Sequence, residues 1–244
     1  MVNAASSYWP KRLAIAVVFA LAVVGVPSGH VRADPVVFGS INTGALPIDI
    51  AITPDGTHGY VTNNGNGSVS VIDTTTNTTV GEPIPVGNGP HDVAVTPDGT
   101  RAYVTNYDSG SVSVIDTTAN TTVGNPISIG GSPWDIALTP DGTRAYVTNV
   151  SRFVSIIDTR TNLATSAITT SGVTHGVAFT PDGTRAYVTN FGQGSVSVID
   201  TTSNTTVGDP IGVGSLPEGI ALTPDGSHAF VANTGSNSVS VIDT

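Results

Sequence analysis

One corner, Thr-Pro-Asp-Gly, occurs five times, beginning at Thr53, Thr96, Thr139, Thr180 and Thr223, with spacings of 43, 43, 41 and 43 residues. A fixed period of this length identifies a repeat architecture, in which each unit buries its apolar surface only by stacking on its neighbours. The second copy shows what the unit is. A short β-branched run at 92–96 (DVAVT) ends at Pro97-Asp98-Gly99, where proline presets φ and glycine accepts positive φ. RAYVTN at 101–106 and SVSVID at 111–116 then alternate apolar and polar residues, the period of a strand. A weaker fourth run at 121–129 contains Gly124 and Pro126, and proline in a strand belongs at an edge. Four short antiparallel strands per period, here A to D, make one propeller blade.

The same words return in every copy. YVTN stands at 60–63, 103–106, 146–149 and 187–190, with FVAN at 230–233, each preceded by TPDG and followed by a strand of the SVSVID type. The pattern resembles the YVTN family of β-propeller repeats across essentially residues 36–244. That resemblance implies an exported propeller of the cell-surface, surface-layer kind, and no single activity. More distantly, the Pro-Asp-Gly corner is similar to that of lactonase-type propellers.

The expected fold is therefore all-β, a propeller of four-stranded antiparallel blades. The repeats run over 45–87, 88–130, 131–171, 172–214 and 215–244, within one domain at 34–244. The segment 36–44 parallels the D run of the second copy, so it is expected to clasp 238–243 and complete a closed ring of five blades.

Ahead of the repeats, Lys11 and Arg12 precede an uncharged apolar run at 13–26, then Pro27, Ser28, Gly29 and a small-x-small site ending at Ala33. This is the layout of a secretory signal peptide cleaved after Ala33, and the apolar run is short for a bilayer span. A retained N-terminal anchor is the alternative. The expected location is secreted or extracytoplasmic, with no stable membrane span after cleavage. Beyond residue 33 the chain holds five arginines and no lysine against 18 acids, so nucleic acid is not an expected partner. No cysteine is present, which excludes disulfides and thiolate metal sites.

Internal comparison separates scaffold from site. Residues present in every copy serve every blade: Asp55, Asp98, Asp141, Asp182 and Asp225 at the TPDG corner, and Asp73, Asp116, Asp158, Asp200 and Asp243 after strand C. Short carboxylates beside turns accept backbone N–H bonds. The most varied column is the start of strand A: Ile48, His91, Trp134, His175 and Glu218. In a propeller the A strands line the channel, so this column forms a ring at one channel mouth. The B–C tips share that face, with Tyr107, Phe191 and, in the shortened third repeat near 150–160, Arg152. Aromatic walls with a few convergent polar groups characterise ligand sites.

His91, Trp134, His175, Glu218, Tyr107, Arg152 and Phe191 are therefore the candidate ligand- or partner-binding residues. No catalytic residue is assigned and no cofactor is expected. If a divalent metal binds, His91, His175 and Glu218 are the residues that would hold it. The expected function is an exported, non-catalytic binding or scaffold module whose partner is an extracellular protein, a glycan or a small molecule. The alternative is a lactonase-like hydrolase or lyase with a metal or His/Glu site at the channel mouth.

Overall fold

The computed structural model describes residue 37 and residues 39–244, so the signal peptide expected at 1–33 lies outside the described residues. Among those described, no helix is long and apolar enough to cross a membrane. The chain forms five successive antiparallel sheets, the blades of a β-propeller. Their A strands are Pro47–Ile52, Pro90–Val95, Pro133–Leu138, Thr174–Phe179 and Pro217–Leu222. Each pairs with a B strand carrying the YVTN or FVAN motif, which pairs in turn with the C strand.

The D strands differ for a local reason. In blades 1, 2 and 4 they are broken into two dipeptides, such as Thr121–Thr122 and Ile127–Ser128. Each break holds a glycine at positive φ (Gly81, Gly124, Gly208) and a proline two residues later, which has no N–H for the ladder. Blade 3 lacks both residues, and its D strand runs unbroken over Leu163–Thr169. Its two-residue deficit is also divided, contrary to the expectation of one gap near 150–160. One residue is missing from the B–C turn, where Asn149 pairs with Phe153, and the other between strands C and A.

Alternation along strand B does more here than separate inside from outside, because blades 2 to 4 are each covered on both faces. Tyr and Thr of YVTN face forward, onto the following blade, while the alanine before Tyr and the valine after it face back. Tyr60, Val69 and Val71 thus pack with Val93, Ala102, Val104 and Ile115 of blade 2. Equivalent clusters fill the next three junctions, giving four cores for five blades. Three of the forward tyrosines also cross to the C–D corner of the following blade. Tyr60, Tyr103 and Tyr146 donate their hydroxyls to Oδ1 of Asn120, Asn162 and Asn204 at 2.6, 2.7 and 2.5 Å. Burial pushes the Tyr60 and Tyr103 hydroxyls up to about 12. In blades 1, 2, 4 and 5 the motif asparagine works inside its own blade, its Nδ2 donating to two serines of strand C, as Asn106 does to Ser111 and Ser113.

The TPDG corners are self-contained. Asp55 Oδ1 accepts from the Thr53 hydroxyl at 2.6 Å and from the N–H and hydroxyl of Thr57, and Gly56 supplies the positive φ of 73°. The Thr53 hydroxyl and then the Thr57 N–H hold the Asp55 carboxyl at about 2, and Thr223 and Ser227 do the same for Asp225.

Among the described residues the fifth sheet has three strands, and of the segment 36–44 residues 37 and 39–44 form no strand, while 36 and 38 lie outside the description. The end of that segment is committed elsewhere, since Gly44 N donates to Asn63 Oδ1 of blade 1 at 3.0 Å. The forward face of blade 5 is accordingly open, with Phe230, Val239 and Val241 44, 61 and 57% exposed. The back face of blade 1 is open at Ile50 and Ile52, 45 and 50% exposed.

These junctions assign separate values to ring and hydroxyl. Tyr103→Phe keeps the apolar packing and deletes one buried hydrogen bond, and should lower unfolding stability by about 1 kcal/mol. Tyr103→Ala also opens a cavity and should cost about 3–5 kcal/mol. Urea unfolding measures both, and equal losses would show that the ring contributes nothing beyond its hydroxyl.

Candidate functional site

In every blade the start of strand A is bulged against strand B. Pro90 opposes Asn106 and Val93 opposes Val104, so His91 and Asp92 together face Thr105 alone; the register shifts at the same place in all five blades. A bulge of this kind re-aims side chains and leaves a ladder N–H to be satisfied. The motif threonine satisfies it: Thr105 Oγ1 accepts the Asp92 N–H at 2.9 Å, as Thr62, Thr148 and Thr189 do in their own blades. The same hydroxyls donate forward to the varied column, Thr62 to His91 O, Thr105 to Trp134 O, Thr148 to His175 O and Thr189 to Glu218 O, at 3.1, 3.2, 2.5 and 2.9 Å.

The B–C tips are fastened to the same place. Backbone N–H groups of Asn64, Tyr107, Val150, Phe191 and Thr234 donate to carbonyls two residues before each column residue, at 2.8–3.2 Å. One face of the fold therefore carries both the column and the tips.

Six of the seven candidate residues meet there. His91 packs on Trp134 with ring centroids 4.1 Å apart, and Trp134 stacks on His175 at 4.4 Å with 18° between planes. His175 stacks in turn on Phe191 at 4.1 Å and 16°. Tyr107 completes the row edge-on to Trp134 at 5.8 Å and 6.4 Å from His91. Glu218 Oε1 lies 3.8 Å from His175 Nδ1. Offset and edge-on aromatic pairs of this kind each contribute about 0.5–1.5 kcal/mol beyond their buried area.

His91 donates its Nδ1–H to Trp134 O at 2.9 Å, which puts the lone pair of the neutral ring on Nε2. Arg152 is the candidate that does not join. It sits exposed at the blade 3 tip with φ 67°, its N–H donating to Asn149 O, and among the described residues it makes no ring contact or ion pair with the row. Ile48, the remaining column residue, brings no aromatic ring to the row.

The metal set does not converge in this geometry. Trp134 stands between His91 and His175, and among the described residues no three His, Asp or Glu side chains are grouped closely enough to hold one ion. The bulk of the indole is the physical reason. Within that set, His175 and Glu218 are adjacent.

Sequence reasoning missed the column beside the varied one: Asp49, Asp92, Asp135, Gly176 and Gly219. The three carboxylates reach across blade junctions to the next strand A, accepting from the N–H groups of Val93 (3.3 Å), Ile136 (2.7 Å) and Val177 (3.0 Å). They also interact with one another. Burial, then the neighbouring Asp135 and Asp49 charges, push the Asp92 carboxyl well above the usual carboxylate range, and burial raises Asp135. Burial and the shared negative charge thus favour the protonated form within this series. The series stops at Gly176 because a Cβ there would come 2.4 Å from Glu218 O. The three-to-two split of Asp and Gly was the available signal, and it was hidden beside a more varied neighbour.

No family model matches the sequence, and none of the curated proteins does. Among solved structures, the fold is similar to that of a Kuenenia stuttgartiensis hydrazine synthase chain, at TM-score 0.51 and 20% identity over 90% of this chain and 99% of that one. A functionally unknown protein from Desulfotomaculum acetoxidans DSM 771 gives TM-score 0.70 and 22% identity over 82% and 70% of the two chains. The β-propeller domain of Myceliophteria thermophila Cps50 (Swd1) gives 0.69 and 11% over 79% and 64%. The class is then plain: this is a β-propeller protein built of sequence repeats. At these identities the likeness is one of fold alone.

The carboxylate series makes stability depend on pH in two windows. The folded state holds the Asp92 proton more tightly than the unfolded chain, so stability falls as pH rises from the ordinary carboxylate range through the raised pKa. Asp55 and Asp225, held at about 2, act oppositely: their contribution is present above their ordinary value and is lost as pH falls toward 2. Thermal melts across pH should show both limbs, and Asp92→Asn should flatten the upper limb only. An unchanged upper limb in that variant would place the proton elsewhere.

Proposed function

We propose that the chain is an exported, non-catalytic binding module whose recognition surface is the ringed face of the propeller, as its resemblance to YVTN-repeat surface proteins implies. The observation that carries the reading is the row Tyr107–His91–Trp134–His175–Phe191, drawn from three blades and placed where the blades differ. Scaffold positions repeat in every blade; these side chains do not, and nothing in blade stacking requires an indole between two imidazoles. Large amphipathic rings held in place lose little conformational entropy on binding, and Tyr and Trp are enriched among residues that dominate binding energy. The ligand is an extracellular protein, glycan or small molecule.

The lactonase-like alternative draws on the one pair still adjacent, His175 and Glu218, a possible acid–base couple. It needs a substrate pose touching both, and the indole keeps His91 from assisting.

The chain contains two tryptophans, Trp9 in the leader and Trp134 in the row, so after leader removal Trp134 is the only indole. Its fluorescence therefore reports directly on the site. Titration with candidate extracellular glycans and proteins should shift Trp134 emission for a true ligand. Separately, capture of that ligand on a surface should be lost in the Trp134→Ala, Tyr107→Ala double variant while cooperative unfolding is kept. Wild-type capture by the folded double variant would sink the proposal. Steady turnover of lactones, abolished by Glu218→Gln, would install the alternative instead.

A further inference from the structure

Each junction between blades has two halves. The forward half is built from the motif tyrosine and the first two valines of strand C; the backward half comes from strand A, as Val93 and Val95 do for blade 2. Two halves have no counterpart in the described chain, and both are apolar: Phe230, Val239 and Val241 on blade 5, and Ile50 and Ile52 on blade 1. They occupy the same repeat positions as Tyr60, Val69 and Val71 on one side and Val93 and Val95 on the other. The two exposed faces are the complementary halves of a junction that the chain itself forms four times.

The sequence at these faces departs from the repeats in a specific way. FVAN replaces YVTN, so blade 5 lacks the threonine hydroxyl by which blades 1 to 4 grip their successors and the tyrosine hydroxyl by which blades 1 to 3 do, while the aromatic ring and the valines stay. On the other side, Asn77 and the Ile48 carbonyl stand at the positions where Asn120 and the His91 carbonyl receive those hydroxyls. The apolar complement is retained and the polar grip removed. Every internal junction carries at least the threonine grip, and the first three carry the tyrosine one as well; a seam between separately folded copies can do without either. The A strands pack in sequence from first to second through to fourth on fifth. Among the described residues, each exposed end face carries the half of a junction that the other lacks.

We propose that the forward face of blade 5 docks on the backward face of blade 1 of a second copy, a heterologous head-to-tail association. The chain lacks cysteine, which makes the test clean. Full-length chains carrying Ile52→Cys or Val241→Cys are purified separately, mixed, and treated with a short bifunctional thiol reagent. The expected product is a cross-linked heterodimer far in excess of the homodimer formed by either chain alone. Wild-type sedimentation should show mass rising with concentration, and Val239→Asp should reduce that association at least tenfold. Phe230→Tyr with Ala232→Thr restores the two hydroxyls and should tighten association roughly tenfold, given the usual net worth of a hydrogen bond. Two results would overturn the proposal. One is no cross-link between the two mixed variants but an intramolecular one, at monomer mass, in a further chain carrying both Ile52→Cys and Val241→Cys, which means that blades 1 and 5 of one copy meet. The other is a monomer at every concentration with no cross-link in the mixture.

Discussion

Thr62, Thr105, Thr148 and Thr189 each use one hydroxyl twice, accepting an N–H from the bulge of their own inner strand and donating to a carbonyl of the next. Much else depends on that double bond. It satisfies a backbone donor that the bulge would leave unpaired, and it sets each inner strand at a fixed distance from its neighbour. It also holds the carbonyl of every varied residue from His91 to Glu218, so the aromatic row rests on a repeated main-chain anchor. The scaffold motif does no chemistry of its own, but it decides where the side chains of the site stand.

The tyrosine and aspartate contacts work the same way at other radii. Tyrosine hydroxyls tie the outer corners of successive blades, and Asp49, Asp92 and Asp135 tie the inner strands. Three layers of polar ties surround the apolar clusters of the first three junctions, while the fourth keeps the threonine tie from Thr189 to Glu218 O. The inner layer has a cost the others avoid, because buried carboxylates crowded in one wall repel, which raises the Asp92 carboxyl above the usual carboxylate range.

Much of the fold was legible because its rules are local. Proline, Asp and Gly specify the TPDG corner by φ and by side-chain capping within five residues, and period-2 alternation specifies strands. The varied column was legible because five internal copies expose any position that scaffold does not fix. Three features were not. The split D strand needed the combined effect of Gly124 and Pro126 on a ladder. Arg152 was grouped with the row by its loop, yet its side chain stands apart. The Asp49–Asp92–Asp135 series looked like ordinary strand polarity, because a carboxylate's neighbour in the next blade is about one repeat away in sequence.

By itself, then, the sequence determined the repeat, the blade, the identity of the scaffold words and the face on which blades differ, all of which follow from short-range geometry repeated five times. Only the tertiary structure decided which of the varied side chains touch. An indole between two imidazoles, a histidine beside a glutamate, and an uncovered Phe230 all depend on how neighbouring blades are set against one another. That setting is fixed by contacts between residues some 27 to 60 positions apart, which no local pattern can carry.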